Sequence, residues 1–238
     1  IQSVFCRASS LCCCSMVQSG EHTLAASRRN DKLKRTCSLC VCSPVVFIDN
    51  EGNVISGSMM TAFIADYLVA KNSQVKGDHN VNVSRHALEL LTKKGVELIR
   101  TKVGHSNIKA VMREENADFG GEHSAHFYYK ENFFADSAIL TLLVFLNIIS
   151  EKNQSINEMI SAYNFPPSSG EINFKVDNIQ TSIKNIENIF EGEFDYLDGL
   201  SCFGKNFWFN IRGSNTEPKL RVNIEAKTEN LLSEVLEK

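Results

Sequence analysis

A surplus of charge is missing: 25 Lys and Arg stand against 28 Asp and Glu in 238 residues, a net charge of −3. That balance builds no basic field for a nucleic-acid backbone, so no nucleic-acid partner is expected. Long apolar runs are missing too. The longest, residues 138–149, is too short to span a bilayer and is broken by Thr141 and Asn147. It is expected to be a buried helix, and no membrane partner is expected. Cysteine is nearly absent from the body of the chain: seven of the eight lie at or before Cys42, leaving Cys202. A secreted disulfide scaffold would spread its cysteines through the fold, so the body reads as cytoplasmic. No internal repeat is found. Hydrophobic residues at 43% and charged residues at 22% are ordinary for a globular chain with room for one or two domains.

Residues 1–43 carry neither a helical nor a strand period. They hold Cys12-Cys13-Cys14, a basic run around Arg28, Arg29, Lys32, Lys34 and Arg35, and Cys37-x-x-Cys40-x-Cys42. With His22 the last group offers zinc-type donors, but no second C-x-x-C pair follows at finger spacing, so no metal ligand is assigned. The segment reads as a cysteine-rich, disordered leader.

Order begins at Val45. A strand is expected over 45–49, a turn at Asn50-Glu51-Gly52-Asn53, and a helix carrying Met59, Met60, Phe63, Ile64, Tyr67 and Leu68. Strand, helix and strand follow over 79–83, 86–94 and 96–100, then a helix over 106–115, a short strand at 118–121 and the apolar helix at 136–150. Residues 164–170, with Pro166-Pro167, read as a linker. Beyond it come strands at 171–176, 194–197, 200–203, 206–212 and 220–226. One helix carries Ile179, Ile183, Ile186 and Phe190, and a last one is N-capped by Thr228. The expected fold class is α/β: a mixed α/β layer domain followed by a small α+β domain with a mostly antiparallel sheet.

Three polar knots interrupt this pattern. Arg212-Gly213-Ser214-Asn215-Thr216-Glu217-Pro218 lies between two runs of period two. It offers a guanidinium fork, two hydroxyls, an amide and a glycine backbone, the groups that wrap a phosphate. An ordinary polar hairpin with one surface arginine is the competing reading. Gly120-Gly121-Glu122-His123-Ser124-Ala125-His126 alternates carboxylate, hydroxyl and imidazole. On an extended chain Glu122, Ser124 and His126 would face one way and suit a sugar, whose hydroxyls both donate and accept. A solvated loop would look the same. Thr101-Lys102-Val103-Gly104-His105-Ser106-Asn107-Ile108-Lys109 joins a strand to a helix whose N-terminus favours an anion, with Lys102 and His105 flanking the turn. There His105 could equally be a helix cap.

These strings, in their order along the chain, resemble the α-D-phosphohexomutases, the phosphomannomutase/phosphoglucomutase family. R-x-S-N-T-E-P-x-x-R-V is similar to that family's phosphate loop, G-E-x-S-G-H to its sugar-binding loop with Ala125 in place of the second glycine, and K-x-G-H-S-x-I-K to its phosphosugar-contacting segment. Ser169-Gly170-Glu171-Ile172-Asn173 and Trp208-Phe209-Asn210 resemble the bacterial phosphomannomutase branch. The resemblance covers about four-fifths of the chain, from Val45 to Lys238. It implies that Glu122, Ser124 and His126 bind sugar hydroxyls and that Arg212, Gly213, Ser214, Asn215 and Thr216 hold the non-reacting phosphate. It implies that Lys102 and His105 reach toward the phosphosugar, His105 as an acid/base helper; Arg221 is a weaker candidate, which strand alternation sets opposite Leu220 and Val222 as a support beneath the loop. The expected partners are hexose phosphates.

The resemblance also says what to look for and not find. Family members have four domains, with the catalytic serine in a T-x-S-H-N-P-like loop and Mg2+ in a D-G-D-x-D-R loop just before the strand matching 45–49. Here Cys42-Ser43-Pro44 stands where that loop should end, and Ser124 and Ser214 belong to binding loops. The expected division is a leader over 1–43, a remnant of domain two over 44–74, domain three over 75–165 and the C-terminal phosphate-binding domain over 166–238. The implied reaction interconverts mannose or glucose 1-phosphate and 6-phosphate through a hexose 1,6-bisphosphate, and this chain alone is expected to be inactive. Phosphoglucosamine mutase and a non-catalytic phosphosugar-binding fragment are the alternatives.

Overall fold

Residues 44–72, 74–214 and 219–238 are described by the structure, a computed structural model. The leader and its cysteine cluster lie outside them, as do Asn215 and Thr216.

The first strand, β1 (Phe47–Ile48), pairs antiparallel with β2 (Val54–Ile55). The turn between them is organised by Asp49, whose carboxylate accepts the backbone N–H groups of Glu51 and Asn53, both at 2.8 Å. Helix α1 (Gly57–Lys71) is capped by Ser56. Its first two turns are buried on every side, Met60, Phe63 and Ile64 among apolar neighbours and Thr61 by bonding back to the Gly57 carbonyl. A helix apolar all round belongs inside a core. Here that core is shared with Phe47, Phe119, Phe127 and Phe145, and it has no seam near residue 75.

The first of two five-stranded sheets runs β4-β3-β5-β6-β7, from β3 (Val75–Asn80), β4 (Val96–Thr101), β5 (Phe119–Gly121), β6 (Phe127–Tyr129) and β7 (Ala135–Asp136). β3 is parallel to β4 and β5; the last three strands are antiparallel. Helices cover both faces. α1, α2 (Arg85–Lys93) and α4 (Ala138–Lys152) pack on one side, and α3 (His105–Glu114) on the other, over Tyr128 and Ala117. Strand alternation on β6 thus sends Phe127 and Tyr129 to one layer and Tyr128 to the other.

Three expectations change here. The strand read at 79–83 is observed at Val75–Asn80. Its Lys76-Gly77-Asp78-His79-Asn80 carries no apolar alternation because it is the central strand with buried polar side chains: Asp78 accepts the Thr101 hydroxyl at 2.7 Å, and Asn80 donates to Glu122 at 3.1 Å. α4 is not a buried helix. Thr141, Phe145, Ile148 and Ile149 face the core, while Ile139 and Leu143 are 56% and 52% exposed. Residues 164–170 are not wholly linker, since β8 (Ser168–Lys175) begins inside them, and α5 (Ile156–Tyr163) precedes them behind a Ser155/Glu158 capping box.

The second sheet is antiparallel throughout, in the order β8-β12-β11-β10-β9, with β9 (Glu193–Asp195), β10 (Leu200–Phe203), β11 (Phe207–Gly213) and β12 (Lys219–Ala226). Phe209, Ile211, Leu220, Val222 and Ile224 point to one face, where α6 (Ile179–Glu187) and α7 (Glu229–Glu237) cover them. Ser201, Trp208, Asn210, Asn223 and Glu225 share the other face, and polar bonds from it meet the first layer. Arg100 donates to Ser201 at 2.9 Å and pairs with Asp195 at 2.6 Å, the Val103 N–H donates to Asp198 at 2.8 Å, and the His86 N–H to Glu225 at 3.2 Å.

Candidate functional site

The Glu122–His126 segment is a reversal between β5 and β6, not an extended edge. The Glu122 N–H donates to the His126 carbonyl at 2.9 Å, and the Ala125 N–H to the Glu122 carbonyl at 3.0 Å. Glu122, Ser124 and His126 therefore do not line up by alternation: Glu122 is buried, Ser124 is exposed, and His126 is half-buried. The chain has only five residues in which to turn, and Ala125 completes it in the left-handed region at φ 65°. An L-residue other than Gly, Asn or Asp is disfavoured there by roughly 1 kcal/mol. Ala125→Gly, also freer in the unfolded chain, is expected to change stability by less than about 1 kcal/mol in the stabilising direction, read from the midpoint of urea unfolding; a destabilised variant would mean the turn is not strained.

What turns inward forms a connected polar cluster. Glu122 accepts the Tyr128 hydroxyl and the Asn80 amide. The Tyr128 oxygen also lies 2.9 Å from Nδ1 of His105, the first residue of α3. Gly104, at φ 127°, caps that helix without a side-chain bond, so His105 is not a cap. The rings of His105 and His126 meet edge to face at 4.2 Å between centroids. Asp136 closes the group, 3.1 Å from His126 Nδ1 and 3.0 Å from the Lys109 ammonium. His105, His126 and Asp136 are metal-ligand types, with ligand atoms within 4.8 Å of one another, and Lys109 already balances their one carboxylate. Lys102 is exposed, with no ion-pair partner among the described residues.

Burial shapes the protonation of the cluster. It pushes Asp78, beneath Glu122, up to about 7 against the Thr101 hydroxyl bond. It pulls His126 below the ordinary imidazole value although Asp136 works the other way. Burial also raises Asp136, but the bonds from Lys109 and His126 prevail and hold it below the usual carboxylate value. Tyr128 is driven far above an ordinary phenol by burial and then by the carboxylate of Glu122. At neutral pH it keeps its proton.

The second half of the site lies on β11 and β12. Arg212 and Arg221 are directly opposed across the ladder. Like charges so placed repel, and one carboxylate relieves them. Glu171 on β8 accepts from Arg212 at 3.3 Å and from Arg221 at 3.1 Å. Nε of each arginine is buried with no partner among the described residues. Gly213 passes close to Ile179, and the Ser214 N–H donates to the Lys219 carbonyl at 2.8 Å, closing the base of the loop. Arg221 is thus an equal partner of Arg212 on one counter-ion.

Sequence reasoning missed Tyr128, Asp136 and Asn80 and gave Glu171 no role. The signal for Tyr128 was alternation on a strand after a glycine-rich turn. For Glu171 it was a lone carboxylate in a strand beside one bearing arginine.

The phosphoglucomutase/phosphomannomutase alpha/beta/alpha domain III model matches residues 56–164, and the C-terminal domain model of that group matches 171–238. A phosphomannomutase of Methanocaldococcus jannaschii is 39% identical over 191 residues, 80% of this chain and 42% of that protein. The phosphohexose mutases of Xanthomonas campestris are 35% identical over 193 residues, 79% of this chain and 43% of theirs. A solved phosphoglucomutase/phosphomannomutase family protein from Burkholderia thailandensis superposes with a TM-score of 0.71 at 23% identity, covering 82% of this chain and 42% of that one. The chain spans about two-fifths of the length of these relatives.

Proposed function

The chain belongs to the α-D-phosphohexomutase family, as its C-terminal portion, and from that premise we propose that it is the phosphosugar-binding part of a phosphohexose mutase acting on mannose or glucose 1-phosphate and 6-phosphate. The observation that carries this is the pair Arg212 and Arg221 on the single carboxylate of Glu171. Among the described residues these two guanidiniums share one carboxylate, which leaves them a unit of positive charge, and a phosphate would supply negative charge in a geometry a guanidinium matches.

In this reading Arg212, Gly213 and Ser214, with Asn215 and Thr216 of the same loop, hold the phosphate that does not react, and Arg221 shares its charge. Glu122, Ser124 and His126 take sugar hydroxyls, of which Glu122 is held ready by Tyr128 and Asn80. Lys102, in the loop after β4, and His105, the first residue of α3, approach the phosphosugar from the helix N-terminus, which favours the anion. Hexose 1,6-bisphosphate would bridge the two halves.

Mg2+ does not fit the residues at hand. Pro44, Val45 and Val46, ahead of β1, bring no carboxylate, and Asp49 is consumed by its own turn. No phosphoryl-transfer step is assigned to these residues, and the chain alone is expected to show no magnesium-dependent turnover of mannose 1-phosphate.

The direct test titrates mannose 6-phosphate into the chain and into Arg212→Lys, followed by 31P NMR. Lysine keeps the charge and loses the fork, so affinity is expected to fall by about 1.5 kcal/mol. Equal binding by both would remove the β11–β12 loop from the site, and turnover by the purified chain would overturn the expectation of inactivity.

A further inference from the structure

We propose that Tyr128 is a positioning residue that fixes which ring nitrogen of His105 meets the ligand. Tyr128 lies on β6 with its side chain fully buried toward α3. Its hydroxyl has one hydrogen, and that hydrogen goes to Glu122, a carboxylate with nothing to donate. The same oxygen is 2.9 Å from His105 Nδ1. With its only hydrogen committed, the phenol can offer His105 nothing but a lone pair. Nδ1 must therefore carry the ring hydrogen and donate it to the phenol. The Asp136 carboxylate, 3.9 Å from the same nitrogen, favours the same arrangement.

The consequence appears at the other nitrogen. Nε2 of the neutral ring is left as a lone pair, with no protein partner among the described residues, on a side chain that is 53% exposed. An unconstrained imidazole ordinarily prefers the opposite tautomer. The chain Glu122, Tyr128, His105 thus turns the exposed edge of the ring into a hydrogen-bond acceptor. Its ligand is a hydroxyl donor, which a sugar beside its phosphate supplies. When protonated, the same Nε2–H would donate to a phosphate oxygen instead. This deepens the phosphosugar reading and rests on it for the ligand. The tautomer itself does not depend on it.

The test is ring-nitrogen 1H–15N correlation on the whole chain at about pH 8.5, well above the ordinary imidazole pKa, with His105 assigned by its loss in His105→Gln. Wild type is expected to show hydrogen on Nδ1 and a bare Nε2. Tyr128→Phe, with the phenol gone, is expected to shift His105 to the Nε2–H form, and mannose 6-phosphate affinity is expected to fall several-fold, the worth of one hydrogen bond. An Nε2–H ring in wild type overturns the proposal without any variant, so a poorly folding Tyr128→Phe would not shield it. An unchanged tautomer in Tyr128→Phe overturns it as well. A tautomer shift without loss of affinity would uphold the positioning role and remove His105 from the ligand, so the two failures are distinct.

Discussion

Replacing Phe145 by alanine is expected to remove about 3–5 kcal/mol of stability, the usual range for deleting a fully buried phenyl ring. The ring is wholly inaccessible on the inner face of α4. It meets Phe47 of β1 at 4.5 Å and Phe63 of α1 at 6.4 Å between centroids, and Phe63 in turn meets Tyr163 of α5 edge-on at 4.8 Å. One side chain therefore ties the first strand and helix to the rest of the layer, and neither can close the gap without giving up its own pairing. Urea unfolding measures the loss. Leu143→Ala, on the opposite face of α4, is the control and should change stability by less than about 0.5 kcal/mol. A loss below about 1 kcal/mol for Phe145→Ala would mean that β1 and α1 do not dock on this core.

Gly57→Ala is expected to destabilise the chain by about 2–3 kcal/mol. Helix propensity alone points the other way, since alanine in place of glycine favours a helix by up to about 1 kcal/mol. Packing decides. A Cβ on Gly57 would lie 2.5 Å from the Glu122 carbonyl oxygen, closer still to that of His123, and 2.8 Å from the Ala125 nitrogen. All three are backbone atoms of the Glu122–His126 turn, which cannot rotate away as a side-chain tip can. The same turn is pinned to α1 by Ser58, 3.1 Å from His123 Nδ1. The substitution should therefore weaken mannose 6-phosphate binding together with stability. A stabilised variant would show that the turn does not rest on the start of α1.

Much of this architecture is legible in the sequence where side chains alternate or recur at helical spacing. β11 and β12 announce themselves through Phe207, Phe209, Ile211 and Leu220, Val222, Ile224. β3 does not, because a central strand that buries Asp78 and Asn80 looks polar, and the eye moves on to Val81 and Val83. α4 hides its orientation because Ile139 and Leu143 are as apolar as Phe145. α5 goes unread although Ile156, Met159, Ile160 and Tyr163 recur at helical spacing behind the Ser155/Glu158 capping box. In the site, the residue types of the loops could be read, but their geometry could not. Alternation placed Glu122, Ser124 and His126 on one edge, and a turn separated them. The roles of Tyr128, Asp136 and Glu171 arise from partners 23, 10 and 41 residues away, namely His105, His126 and Arg212. Strand pairing across the fold supplies those partners, and no local pattern encodes them.

The polar face of the second sheet has a mechanical consequence. The apolar cores of the two layers share no residue. Between them run Arg100, Asp195, Asp198 and Glu225, and Glu225 also borders a cavity of about 200 Å3 with Asn82, Trp208 and Asn223. An apolar seam resists shear because any offset exposes oil to water. A seam of guanidinium, carboxylate and amide can trade one partner for water, or for the next partner along, at nearly level energy. The junction is therefore expected to be more compliant than either layer, each of which is held by its own apolar core. Salt is expected to loosen it further, since ions screen the exposed part of its contacts and act little on the two apolar cores.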